Sequence, residues 1–136
     1  NYDSFSEAIE KVESKNGQAI AAIMAPRTAA QLRELKEATT GAYLREPEFF
    51  TGLKKFNTNQ VPVNLDYGTA ANCSTAFVGD FSQLLFAVRQ SLRIDTSEVA
   101  GEAWERYQRK IRATMRYDVI ALRPSFFSVI KGIKAA

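Results

Sequence analysis

The chain has 136 residues, which suits one domain or one domain with an extension, and its 46% hydrophobic and 24% charged residues are typical of a folded protein rather than a disordered one. Its net charge of +3 permits contact with nucleic acid but does not argue for it. It has no histidine and one cysteine, which excludes an internal disulfide, a CxxC metal or redox pair and a histidine base.

The first fifteen or so residues predict an amphipathic helix. Ser4 and Glu7 have the spacing of a capping box, so the helix should begin at Phe5. Apolar residues then recur at the spacing of one helix face. Asn16-Gly17 supplies a left-handed stop.

A buried strand and a second helix should follow. The apolar run Ala19–Met24 is bounded by chain breakers and predicts the strand. Pro26 suits the first turn of a helix, because its missing N–H would have no partner there, and Gly41 ends this segment. Beyond it, the pattern predicts a strand over Leu53–Thr58 and a long loop, rich in turn residues, over Val61–Ser74.

The middle of the chain predicts three short strands. Thr75–Gly79 is the first, and Asp80 and Ser82 make a turn after it. Gln83–Arg89 is apolar enough to predict a central strand. Ser91–Ser97 alternates between apolar and polar residues, which is typical of a strand with one face buried.

A long strand is predicted over Tyr107–Leu122, where odd positions are mostly apolar and even positions are polar. At ~3.3 Å per residue it would span about 50 Å, more than a compact domain needs. Pro124 ends it, and Ser128–Ile133 predicts a closing strand. Four basic residues should project from one side of the long strand: Arg106, Lys110, Arg112 and Arg116. They could form a solvated face, match acidic groups on a neighbouring subunit, or bind phosphates.

Motifs for catalysis and cofactor binding are missing from the sequence. There is no GxSxG, phosphate-binding loop, GxGxxG or calcium loop, and no apolar run long enough to span a membrane. Glu46 and Glu48 flank a proline and are typical of a solvated turn, and Cys73 has no histidine to activate it. We therefore predict no enzyme activity, cofactor, metal or small-molecule substrate.

Four stretches stand in a characteristic order along the chain: "AIAAIMAPRTAAQLRELKEATTGAYL", "NTNQVPV", "STAFVGDFSQLLFAVRQSLRIDTSE" and "WERYQRKIRATMRYDVIALRPSFFSVIKG". In this order and spacing, nearly the whole chain resembles the C-terminal half of a tailed-phage major capsid protein. The matching motifs are Pro26-Arg27, Gln60-Val61-Pro62-Val63, Gly79-Asp80-Phe81-Ser82, Arg89 and Arg123-Pro124-Ser125-Phe126. The sequence departs from the family at Ala25, where relatives often place Asn or His, and at Asn59-Gln60, which replaces a glycine.

The resemblance implies an α+β fold, with a small mixed sheet flanked by two helices and with long peripheral strands. Residues 1–90 would be the axial domain, 91–124 part of the peripheral domain, and 125–136 a closing strand that returns to the axial sheet. The family's N-terminal arm, extended loop and long spine helix would precede this segment. Because the chain begins with Asn1, we expect a piece of a longer gene product.

The implied function is structural: a shell subunit that assembles with copies of itself into hexamers and pentamers. Asp66 and Tyr67, in the predicted long loop, join the four basic residues as candidate subunit contacts. Packaged DNA could be touched nonspecifically, no membrane is involved, and the protein would be made in the bacterial cytoplasm and reside in the virion capsid. The alternatives are an encapsulin-like compartment shell and, more remotely, a small basic nucleic-acid-binding domain.

Overall fold

The computed structural model describes residues 2–134, which fold as two compact units. The first unit runs up to Gln83 and resumes at Arg123, and the second is Leu84–Leu122. Residue 1 and residues 135–136, the outermost positions of the predicted axial and closing segments, lie outside the described residues.

Helix α1 spans Asp3–Glu13 and buries Phe5, Ala8 and Val12, as its apolar stripe predicts. The predicted capping box is wrong. The helix is preceded by Tyr2, which makes no side-chain cap, and Ser4 lies inside the first turn. The predicted left-handed stop is confirmed at Asn16, whose φ is 60°.

Helix α2 spans Pro26–Arg33 and ends well before Gly41. The chain then folds back on itself, with the Leu44 N–H donating to the Leu35 carbonyl at 2.8 Å and the Glu37 N–H donating to the Ala42 carbonyl at 2.9 Å. These bonds replace helical ones, so Gly41 marks the turn of this fold-back (φ 66°) rather than the end of a helix.

Five strands form the sheet of the first unit: β1 Ala21–Met24, β2 Lys54–Asn57, β3 Leu65–Tyr67, β4 Ala70–Gly79 and β7 Phe127–Ile133. The strand order is β2-β1-β4-β3, and β7 also pairs with β4. Strands β1 and β2 run parallel, whereas the pairs that include β4 are antiparallel. The predicted closing strand therefore returns to this sheet.

The predicted loop Val61–Ser74 is wrong over its second half, which forms the β3–β4 hairpin. Tyr67 pairs with Ala70 across a two-residue turn. Gly68 occupies the first turn position with φ 61°, where a type II′ turn needs glycine. The turn chemistry that indicated a loop therefore includes the tight turn that connects β3 to β4.

The core of the first unit lies between one face of the sheet and the helices. Ala22 and Met24 from β1 and Ala76 and Val78 from β4 are buried there against α1, α2 and the short helix α3, Glu48–Thr51. Phe50 of α3 stacks edge-to-face on Phe5 with ring centroids 5.0 Å apart. Phe49, the residue before Phe50, is exposed.

The second unit is a two-stranded antiparallel ribbon of β5, Leu84–Ser97, and β6, Lys110–Ala121. Two predicted strands are therefore one, and Gln90, the expected end of the axial domain, lies inside β5. The prediction that Gln83–Arg89 is central is wrong. Among the described residues, β5 pairs with β6 alone, and its large apolar side chains are exposed. Strand β6 confirms most of the long strand that was predicted over Tyr107–Leu122.

The α+β fold class is thus confirmed: a small mixed sheet with two principal helices, together with long strands.

Candidate interaction surfaces

Candidate metal ligands are not clustered in the part of the chain that the structure describes. Among residues 2–134, no three His, Cys, Asp or Glu side chains approach closely enough to hold a metal ion. Cys73 is buried, and its thiol faces the carbonyl of Ala70 at 3.6 Å rather than solvent. In the same range, no helix reaches the length and apolarity that a membrane crossing requires.

The ribbon has two faces of different chemistry, because directly opposed residues of β5 and β6 point to the same side. One face, here the apolar ribbon face, carries Leu84, Phe86, Val88, Ile94, Ile111, Met115, Tyr117 and Val119. The other, here the basic ribbon face, carries Lys110, Arg112 and Arg116 from β6 with Gln90, Arg93 and Asp95 from β5, and ends in the apolar pair Leu85 and Ile120.

Three of the four predicted basic residues are brought together on the basic ribbon face, and the fourth is not. Lys110, Arg112 and Arg116 alternate along β6. Arg106 lies before the strand, where its Nη2 pairs with Glu102 at 2.8 Å. A subunit contact by these residues stays a prediction.

Asp95 links the two strands of the ribbon on its basic face. Its carboxylate accepts hydrogen bonds from Arg93 Nε at 2.8 Å and from Arg112 Nη2 at 3.2 Å. The bond from Arg93, followed by that from Arg112, lowers the pKa of Asp95 below its ordinary value. Asp95 therefore neutralises part of the positive charge on the basic ribbon face.

We expect an NMR titration to place the pKa of Asp95 below that of an ordinary aspartate, and Arg112→Gln to move it part of the way back. Because the folded-state pKa is lowered, the contact stabilises the ribbon above the unfolded-state pKa. That contribution is lost as the pH falls through the folded-state value. Arg116→Gln, on the same face, is the matched control. An equal shift in both variants would contradict a specific contact with Arg112.

The apolar ribbon face is the main surface that the sequence interpretation missed. Its eight large apolar side chains are between 42% and 69% exposed. Phe86 and Tyr117 stack on each other across the strands at 5.2 Å, and both side chains remain more than half exposed. The alternation of apolar and polar residues in β6 predicted an apolar face. Because part of β5 was interpreted as a central strand, that face was expected to be buried, whereas it is exposed.

A two-stranded ribbon is marginally stable by itself, and contiguous exposed apolar patches usually mark contact sites. The apolar ribbon face is therefore a surface suited to packing against further protein.

The connection at the tip of the ribbon forms a small open cavity of about 260 Å³. Glu98 closes its base by accepting a hydrogen bond from Arg109 Nε at 3.0 Å, while Trp104 and Tyr107 stand exposed at its rim. Tyr107 has a φ of 50°, uncommon for an aromatic residue. Trp104 and Tyr107 give the cavity exposed aromatic contact area.

Asp66 and Tyr67 lie in β3, in the first compact unit, whereas the basic residues belong to the second. Asp66 Oδ1 accepts a long hydrogen bond, 3.4 Å, from the backbone N–H of Asn72. The Asn72 carbonyl accepts one from Arg27 Nη2 at 2.9 Å. These bonds stabilise the β3–β4 hairpin, and a subunit contact through Asp66 and Tyr67 stays a prediction.

The sequence model of the Phage capsid family matches residues 1–132 of this chain. Among curated proteins, none matches.

Similar solved structures share the fold at low sequence identity. A structure from Mycobacterium phage Ogopogo is 23% identical, with a TM-score of 0.69, over 95% of this chain and 48% of its own. A structure described as the capsid of an empty GTA particle is 19% identical, with a TM-score of 0.69, over 96% and 44%. One from Microbacterium phage Oxtober96 is 16% identical, with a TM-score of 0.68, over 97% and 47%. The chain thus spans about half the length of these relatives.

Proposed function

The chain belongs to the phage capsid family, and from this premise we propose that it forms the C-terminal half of a structural shell subunit. The subunit assembles with copies of itself into hexamers and pentamers of an icosahedral phage or prophage head. The family match over residues 1–132 carries the proposal. The protein acts through its surfaces, is made in the host cytoplasm and resides in the virion.

The two compact units support a division of labour within the subunit. We assign the first unit, with its mixed sheet, to the axial domain around the symmetry axis of each capsomer. The ribbon Leu84–Leu122 is assigned to the peripheral domain. Continuity of β5 from Leu84 to Ser97 moves the proposed boundary to the position after Gln83.

The apolar ribbon face supports a role in assembly. A peripheral domain that also contains a long helix and further strands would cover this face and remove its side chains from water. At about 25 cal/mol per Å² of apolar area, covering side chains of this size is a substantial driving force. The ribbon would then be stable as part of the larger subunit.

Negative-stain electron microscopy of the full-length gene product, expressed alone, tests the proposal. We expect closed shells of uniform diameter or flat hexameric sheets. Dispersed monomers that bind DNA with affinity falling steeply as salt rises would contradict it and favour nucleic-acid binding instead.

A further inference from the structure

The sheet of the first unit has a second face, opposite the core, on which an apolar row crosses four strands. Phe56 of β2 pairs with Ile23 of β1, Ile23 pairs with Phe77 of β4, and Phe77 pairs with Val129 of β7. Because paired residues project to the same side of a sheet, the four side chains stand next to one another. We call this set the outer row.

The helices leave the outer row uncovered. The neighbours of the row on β1 and β4 (Ala22, Met24, Ala76 and Val78) are buried with α1, α2 and α3 on the opposite face. Phe56, Phe77 and Val129 remain 55%, 37% and 44% exposed. Phe77 lies in a strand paired on both sides, so its exposure means that no described segment of its own unit covers it completely.

Such a row is unusual for a solvated sheet face. An antiparallel or mixed sheet with one face on the core normally presents polar residues on the other. Lys54, two residues before Phe56 on the same face, is a charged group beside the row. The four side chains cover less than the ~800 Å² per partner of a standard interface, so they would form its apolar centre.

Further exposed apolar side chains lie in the same unit, in the segment from Tyr43 to Phe49. Tyr43, Leu44 and Phe49 are exposed there. The segment also carries Arg45, Glu46 and Glu48. Among the described residues Glu46 is paired with Lys55, whereas no ion pair involves Glu48. Glu48 is therefore the carboxylate that can meet Lys54.

We propose that the outer row of one copy packs against the Tyr43–Phe49 segment of a second copy. Apolar area meets apolar area, and Lys54 of one copy meets Glu48 of the other. Because the two patches differ, the contact is heterologous, and repetition of such a contact around an axis closes a ring. The inference rests on the proposed function and specifies which surfaces join axial domains within a capsomer.

Cysteine cross-linking tests this contact in the full-length gene product. The double variant Phe56→Cys with Phe49→Cys, treated with a short bis-maleimide, is expected to give a ladder from dimer up to the capsomer on a denaturing gel. Each single variant should remain monomeric, because a heterologous contact brings the two different positions together. The parent protein controls for Cys73, which is buried.

Adding Phe77→Glu to the double variant should abolish the ladder. Val99→Glu is the matched control, since Val99 is an exposed apolar residue of the other unit, and the ladder should persist. A dimer from Phe56→Cys alone would indicate an isologous contact and overturn the inference, as would a double variant that stays monomeric. Micrographs of the same samples report shell formation separately, so shells without a ladder contradict the inference but not the proposed function.

Discussion

Replacing Gly79 with alanine is expected to lower the free energy of unfolding by about 2–3 kcal/mol. Gly79 ends β4 and lies opposite Phe127 of β7. A methyl group at this position would come within 2.5 Å of the Phe126 carbonyl oxygen and 3.0 Å of the Phe127 Cα atom. Both atoms belong to the backbone, so relief requires moving β7 away from β4.

That movement would also weaken the hydrogen bond from the Asp80 N–H to the Phe126 carbonyl, which is 3.1 Å long. This bond holds the turn at which Asp80 Oδ1 accepts from the Ser82 N–H and hydroxyl. The cost at Gly79 therefore combines steric overlap with the loss of pairing at the end of the sheet.

Urea unfolding followed by circular dichroism measures the effect, with Gly52→Ala as the matched control. Gly52 has a φ of −71°, and a methyl group there would have its nearest contact at 3.8 Å. Gly52→Ala should leave the free energy of unfolding unchanged or raise it by up to ~1 kcal/mol, because alanine lowers the conformational entropy of the unfolded chain. If Gly79→Ala unfolded at the same urea concentration as the control, the close approach of β7 to Gly79 would be refuted.

Phe86→Asp is expected to abolish shell assembly while leaving the first unit folded. Phe86 is 55% exposed on the apolar ribbon face and stacks on Tyr117. In the assembled subunit the new carboxylate would be buried in an apolar contact without a partner, which costs several kcal/mol. A loss of this size for every subunit should leave capsomers or monomers in place of shells.

Gln90→Asp is the matched control, because Gln90 lies on the basic ribbon face opposite Arg116. The new carboxylate would lie opposite the Arg116 guanidinium and would stay in contact with solvent, so assembly should persist. Sedimentation velocity and electron microscopy distinguish shells from smaller species. Shells formed by Phe86→Asp at the parent yield would show that the apolar ribbon face stays in solvent, and loss of assembly in both variants would indicate a general sensitivity of the ribbon.

Predictions from local sequence patterns were correct where the periodicity of a segment alone specifies the element that it forms. The apolar stripe of α1, the buried run of β1 and the alternation of β6 each predicted the observed element. The Asp80 turn was also predicted, since its side chain bonds to the adjacent backbone and needs no distant partner. The family was correctly identified from the order of such segments.

Predictions failed where a distant partner decides the conformation. The chain after Arg33 leaves the helix because Leu44 returns to bond Leu35. Turn residues between Val61 and Ser74 indicated a loop, yet β4 extends back to Ala70 because β3 pairs with it. The first pairing joins residues nine apart, and the glycine at position 68 that marks the second is equally compatible with a loop.

Exposure was the property that only the tertiary structure could decide. The sequence alone determined that the segments of β5 and β6 are extended, that apolar and polar residues largely alternate in β6, and that the chain has no histidine. An apolar run predicts burial in general, but it does not specify whether the covering surface belongs to the same compact unit or to another. The tertiary structure leaves both the apolar ribbon face and the outer row exposed within their own units. The side chains of a strand alternate between the two faces of its sheet, and the helices cover one face of the sheet in the first unit.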